Sequence, residues 1–202
     1  MIVIVDIGMG NLGSILNMLR KIKIEAKISS RPEEIAGSDK LILPGVGAFD
    51  NAMQALHSRG LTSVLNKKVL EEKTPILGIC LGMQMFCKGS EEGKLDGLGW
   101  IDAETVRFRI SSNGLKVPHM GWTTIQVKGD PGIFKGIEEP RFYFVHSYHL
   151  VCRDERDALA TTHYEYDFAS AVHRENIWGT QFHPEKSHKY GMKVFSNFVE
   201  MG

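Results

Sequence analysis

Apolar and polar positions follow two different rhythms along the chain, and the change between them falls near Lys88. In the first half, short apolar runs bounded by turn residues alternate with stretches of helical period. Strands are expected at residues 2–6, 22–29, 40–43 and 75–79. Helices are expected from Leu12 to about Lys21, with Ile15, Leu16 and Leu19 on one stripe, then over Phe49–Ser58, 61–70 and 81–86, and Arg31-Pro32-Glu33-Glu34 opens a helical turn. Such alternation predicts a largely parallel sheet with helices on its faces. After Lys88 strand-like runs dominate, at 100–110, 123–127, 141–145, 158–163, 169–173 and 177–182. An amphipathic helix over 187–201 closes the chain, with Met192, Val194, Phe195, Phe198 and Val199 available for burial. No linker, repeat or low-complexity tract divides the 202 residues, which suit one α/β domain with a parallel front and an antiparallel-rich back.

Composition adds mainly exclusions. The chain is 43% hydrophobic and 24% charged with zero formal net charge, and no Lys/Arg block points to nucleic acid or a membrane surface. The opening MIVIVDIG is short and lacks a charged leader, so it reads as a first strand. The three cysteines have no metal-ligand spacing and an odd count, which predicts a reducing, cytoplasmic setting without a metal or other cofactor. Cys87, expected on the helix after residue 80, and Cys152, at a strand end, read as structural.

Candidate chemistry concentrates in GICLGMQ. Cys80 stands between a strand and a helix with Gly78 and Gly82 two residues to either side, the arrangement of a nucleophile elbow. Glycines there permit a tight turn and close backbone approach, and the helix N-terminus favours an anion. A lone cysteine in an apolar run is ordinarily a core residue, so the partners decide the matter. His183 ends an apolar run in QFHPEK; Pro184 turns the chain out of the sheet, and Glu185, two residues on, shares a face with His183 if the segment is extended. A carboxylate can then hold one imidazole nitrogen while the other faces Cys80. LPGVGAF ends a strand in a glycine-rich turn whose N–H groups, with that of Leu81, can receive an oxyanion. Gly8, Gly10 and Gly13 also spell a dinucleotide fingerprint, but the second strand ends Lys27-Ile28-Ser29-Ser30 without the acidic residue that pattern requires.

GICLGMQ, GTQFHPEKS and LPGVGAF together resemble the class I (triad) glutamine amidotransferases. Within that family, DIGMGNLGS, VPHMGW and YFVHSYH are similar to the glutaminase subunits of imidazole glycerol phosphate synthases, and the resemblance spans essentially the whole chain. It implies a three-layer, flavodoxin-like fold, a mixed, mostly parallel central sheet with helices on both faces. It implies a catalytic triad of Cys80, His183 and Glu185, an oxyanion hole at Gly45, Val46 and Leu81, and L-glutamine held by Gly47, Gln84, Ser147 and Tyr148. Asn11, Ser14, Met120, Trp122 and Lys186 would face a (β/α)8-barrel cyclase subunit that receives the ammonia. Trp100 and His149 depart from the usual pattern of these subunits. Close relatives resemble ammonia donors to a sugar-amidating synthetase of surface-polysaccharide pathways, so that acceptor is the alternative. A Cys hydrolase of the deglycase type shares the elbow but lacks the HPE element, and a purely docking subunit would not need all three triad residues.

Overall fold

In the computed structural model, which describes residues 1–111 and 114–201, the first strand, β1, is Ile2–Val5 and the first helix, α1, is Leu12–Lys21. Then follow β2 (Ala26–Ser29), α2 (Pro32–Ala36), β3 (Lys40–Gly45), α3 (Phe49–Ser58), α4 (Leu61–Asn66), β4 (Ile76–Cys80) and α5 (Leu81–Gln84). The back half carries β5 (Gly89–Ser90), β6 (Ala103–Arg107), β7 (His119–Thr124), β8 (Gln126–Val127), β9 (Arg141–His146) and β10 (Tyr148–Cys152). It ends with β11 (Ala158–Tyr164), β12 (Tyr166–Arg174), β13 (Ile177–Thr180) and α6 (His188–Glu200).

The main sheet runs β2-β1-β3-β4-β13-β12-β10-β6-β5, with β11 on β12 and β8 on β11; β7 and β9 form a separate ribbon. From β2 to β13 all neighbours are parallel, and from β13 to β6 they are antiparallel. The period-2 alternation of the first strands feeds two cores. Val3, Val5, Leu41, Leu43 and Ile76 face one side, packed with α3 and α4 residues such as Phe49, Met53, Leu61 and Leu65. Ile2, Ile4, Ile42, Leu77 and Ile79 face the other, against Ile15 and Leu19 of α1 and Val194, Phe195 and Phe198 of α6. Strands buried on both faces read as continuous apolar runs, and the result is helices on both faces of one sheet, as expected.

Several boundaries differ from the sequence reading, each for a visible reason. The second strand starts only at Ala26, because Lys23 takes φ +61° and the N–H groups of residues 22–24 bond back to carbonyls of α1. The third strand continues through Pro44 to Gly45: its ladder with β1 ends at Ile42, and only β4 runs on beside it. The helix after Cys80 is a single turn. Carbonyls of Met85, Phe86, Cys87 and Lys88 accept from Leu98, Ile101, Gly99 and Gly97, which takes them away from a continuing helix. Cys87 therefore lies in a bend and not on the helix. Trp100 precedes β6 outside any strand; its indole N–H donates to Asn66 at 2.8 Å and its ring tilts onto Phe86. The strand expected from residue 123 begins earlier, so that residues 119–122 of VPHMGW belong to β7.

Candidate active site

β4 lies between β3 and β13, and the register sets Gly45 opposite Cys80 and Thr180 opposite Ile79. The C-terminal edges of three parallel strands thus deliver the turn that follows Gly45, the cysteine and the segment leading to His183 to one place, the position where open α/β sheets bind ligands. Cys80 itself has φ +55° and ψ −110°, outside the regions an L residue favours. Such a conformation costs about 1–3 kcal/mol and persists where surrounding packing over-determines it. The packing is evident at both flanking glycines. A Cβ on Gly78 would lie 2.5 Å from the Phe86 ring, and one on Gly82 only 1.8 Å from the Leu43 carbonyl oxygen. Both glycines are there for close approach, as the sequence suggested.

His183 Nδ1 meets Glu185 Oε1 at 2.8 Å, and the Cys80 side chain is close enough to the ring to influence its charge. Burial pushes the imidazole down, but the hydrogen bonds and charges of Cys80 and Glu185 more than offset this and raise it to about 10. For Glu185 burial again opposes, and the bond and charge of His183 hold the carboxyl below its ordinary value. Both directions describe one buried pair, imidazolium against carboxylate. The two residues do not meet along an extended segment, as expected from the sequence. Pro184–Lys186 is a 3-10 turn, closed by the Lys186 N–H and the Ser187 hydroxyl on the His183 carbonyl, and the turn brings the carboxylate beside the ring.

A cavity of about 510 Å³ opens on the sulfur. Of the residues singled out in the sequence, it is lined by Cys80, His183, Val46, Leu81, Gly47, Gln84, Ser147, Tyr148, Asn11 and Lys186. Gly45 is paired in the ladder beside Cys80, and Glu185 sits behind the ring. Asn11, expected on a docking face, donates from Nδ2 to Glu185 Oε1 at 2.8 Å. Ser14 is exposed on the first turn of α1. Met120, 62% exposed, and Trp122 lie on the outer face of the β7–β9 ribbon, where Trp122 stacks on His188 and Lys186 reaches over Tyr143. Among the described residues no cluster of His, Cys, Asp or Glu could hold a metal ion.

Sequence reasoning missed Glu92, Pro118, Val145 and His146, which also line the cavity. Glu92 lies in the wall, its carboxyl accepting from the Phe49 N–H at the start of α3; nothing in the run SEEGK sets it apart from a solvated loop. His146 lies beneath the cavity and joins a buried pair with His119, Nδ1 of His119 to Nε2 of His146 at 3.1 Å. His146 Nδ1 faces the Tyr148 carbonyl, an acceptor only, so it carries a proton; its Nε2 therefore accepts from His119. Burial holds His146 well below the usual histidine range and takes His119 down to about 4, so both are neutral near pH 7. His149 packs inward against Tyr166, and Trp100 against Asn66, so the two departures from the family pattern are internal packing.

One expected outcome follows from the pair at His183. Replacing Glu185 with Gln removes the charge that helps hold the imidazolium, so the alkaline limb of the pH–rate profile moves to lower pH, and turnover falls on the order of 10²–10⁴-fold. A pH–rate profile of the variant checks both effects, and unchanged kinetics contradict the assignment.

The chain matches the family described as "Glutamine amidotransferase class-I" over residues 3–201. It is 54% identical to "Imidazole glycerol phosphate synthase subunit HisH 2" of Methanococcus maripaludis, over 99% of each chain. A protein of the same name from Pseudomonas aeruginosa is 50% identical over the full length of both. Among solved structures, PurLQS from Thermotoga maritima superposes with a TM-score of 0.75, covering 98% of this chain and 96% of that one at 18% identity, a likeness of fold. No helix among the described residues is long and apolar enough to cross a membrane. With its elbow cysteine, HPE element and sheet order, the chain belongs to the class-I glutamine amidotransferase family.

Proposed function

We propose that this chain is the glutaminase subunit of an imidazole glycerol phosphate synthase, a cytoplasmic protein forming one amidotransferase domain. It supplies ammonia to a (β/α)8-barrel cyclase subunit of histidine biosynthesis. The observation that carries this reading is full-length identity of 54% and 50% to two proteins bearing that subunit's name, joined to a cysteine–imidazole–carboxylate set at one cavity.

The chemistry follows from the groups present. The Cys80 thiolate attacks the side-chain carbonyl carbon of glutamine; a C–S bond forms and the carbonyl electron pair moves to oxygen. Backbone N–H groups of Leu81 and of the Gly45–Val46 turn receive that oxyanion. The carbonyl re-forms as the C–N bond breaks, and the His183 imidazolium gives its proton to the departing nitrogen, which leaves as ammonia. A γ-glutamyl thioester remains on Cys80. His183, now neutral, takes a proton from water as the water attacks, the C–S bond breaks, and glutamate leaves with the thiolate restored. Glu185 and Asn11 keep the ring oriented. Gln84, Ser147, Tyr148 and Gly47 hold the substrate, and the Glu92 carboxylate suits its α-ammonium group. Ammonia loses its nucleophilicity when protonated in bulk water, so a covered route to the acceptor fits this product. Met120, Trp122, Ser14, Asn11 and Lys186 make the docking face.

The test is glutamine hydrolysis by the chain alone and with a cyclase subunit and its nucleotide substrate. A slow basal rate that rises at least about tenfold on assembly is expected; an unchanged rate rejects the cyclase as acceptor and leaves a sugar-amidating synthetase as the next candidate.

A further inference from the structure

Gln181 has no part in the chemistry above, yet it touches both the nucleophile and a substrate-binding side chain. It follows β13, is fully buried, and is anchored by its backbone N–H to the Ser170 carbonyl at 2.9 Å. Its side-chain Nε2 lies 3.6 Å from Cys80 Sγ, and its Oε1 accepts from Gln84 Nε2 at 3.1 Å. The same Gln84 nitrogen donates to the Tyr148 carbonyl at 3.2 Å.

These contacts fix which way each amide points. A backbone carbonyl only accepts, so the Tyr148 oxygen holds the nitrogen end of Gln84 toward itself. That nitrogen then presents a hydrogen to Gln181, which must answer with its oxygen. Gln181 consequently turns its NH₂ to the sulfur. His146 Nδ1, 2.7 Å from the same Tyr148 oxygen, adds a second donor and holds the carbonyl in place. A directed chain thus runs from a backbone oxygen in the substrate wall, through two buried amides, to the nucleophile.

We propose that Gln181 is a positioning residue for the glutaminase reaction, fixing the Cys80 sulfur by N–H donation and tying it to the substrate clamp through Gln84. The inference deepens the glutaminase reading and rests on it for the identity of the substrate. An N–H···S bond is strongest to a full thiolate charge and weak to a thioester sulfur. Gln181 therefore favours the states in which Cys80 is free: the form that attacks, and the leaving group released on deacylation. It complements His183, which moves the proton.

The experiment compares the wild type with Gln181→Met, which keeps chain length and removes both hydrogen bonds. In the chain alone, carboxamidomethylation of Cys80 by iodoacetamide, followed by peptide mass spectrometry, is expected to slow about tenfold, the value of one hydrogen bond to a charged group. Cys80 is readable on its own, because burial pushes the Cys87 thiol far up and that of Cys152 to about 11. In the complex with a cyclase subunit, kcat falls about tenfold, and KM for glutamine rises several-fold because Gln84 has lost an acceptor. In a Gln84→Met background the same substitution still slows alkylation but no longer changes KM. Gln181→Asn, too short to reach either partner, should behave like Gln181→Met and serves where the methionine variant does not fold. Alkylation, kcat and KM within twofold of wild type in a folded variant would show that Gln181 only fills space, and overturn the proposal. Alkylation is read without glutamine or partner, so a cyclase that fails to stimulate would reject the acceptor and leave this result standing.

Discussion

Cys80→Ala is expected to abolish glutamine-dependent synthesis by the assembled enzyme, by at least about a thousandfold, while synthesis driven by added ammonium salt continues at the wild-type rate. In the proposed reaction the sulfur is the atom that becomes covalently bound, and alanine offers nothing in its place. The substitution is gentle on the fold. Cys80 stands on a buried strand end and shares no disulfide, and its Sγ is hydrogen-bonded by the Gln181 amide. The positive φ at this position is retained by the packing of Gly78 and Gly82, which the variant leaves untouched. Steady-state rates with the two nitrogen sources make the measurement. Loss of both activities would show that the cysteine is not confined to ammonia generation, and survival of the glutamine-dependent rate would remove it as the nucleophile.

Gly82→Ala is expected to produce the largest stability change. Its Cβ would fall 1.8 Å from the Leu43 carbonyl oxygen and 2.8 Å from the carbonyl carbon. These are backbone atoms of a fully buried strand, so relief requires β3 and the elbow to move apart. Overpacking typically costs 1–3 kcal/mol; with backbone as the obstacle, about 3 kcal/mol is expected, a fall in Tm of about 6–12 °C for a chain of this size. Turnover falls as well, because Gly45 lies beside both Gly82 and Cys80 and the proposed oxyanion turn shifts with it. Gly13→Ala is the control: a Cβ there would meet nothing within 4 Å, and the residue sits in α1, so its Tm should hold or rise slightly. Thermal unfolding of the two variants side by side checks this, and equal Tm values would contradict the close-packed elbow.

The residues legible in the sequence were those whose chemistry or geometry leaves a local mark. Gly78 and Gly82 around Cys80 announced the elbow because no other residue fits against Phe86 and Leu43. Pro184 announced the turn at His183, and the apolar alternation of Val3, Ile4, Leu41 and Ile42 announced a sheet covered on both faces. What escaped depends on partners distant in the chain. The helix after Cys80 stops after one turn because residues 97–101 claim its carbonyls, and no property of the helical stretch foretells that. Glu92 reaches the cavity only because α3 presents the Phe49 N–H to it. Gln181 gains its place from the Tyr148 carbonyl through Gln84, a link across strands. The family resemblance set Asn11 on a docking face and said nothing of its bond to Glu185, which arises from the packing of α1 against the turn at Pro184–Lys186.

The most direct measurement is an acid quench of the assembled enzyme during turnover with glutamine, followed by peptide mass spectrometry. A γ-glutamyl adduct on the peptide carrying Cys80, released by hydroxylamine and missing from Cys80→Ser, is the predicted result. Glutamate formed with Cys80 unmodified throughout, or an adduct on any other side chain, would contradict the account.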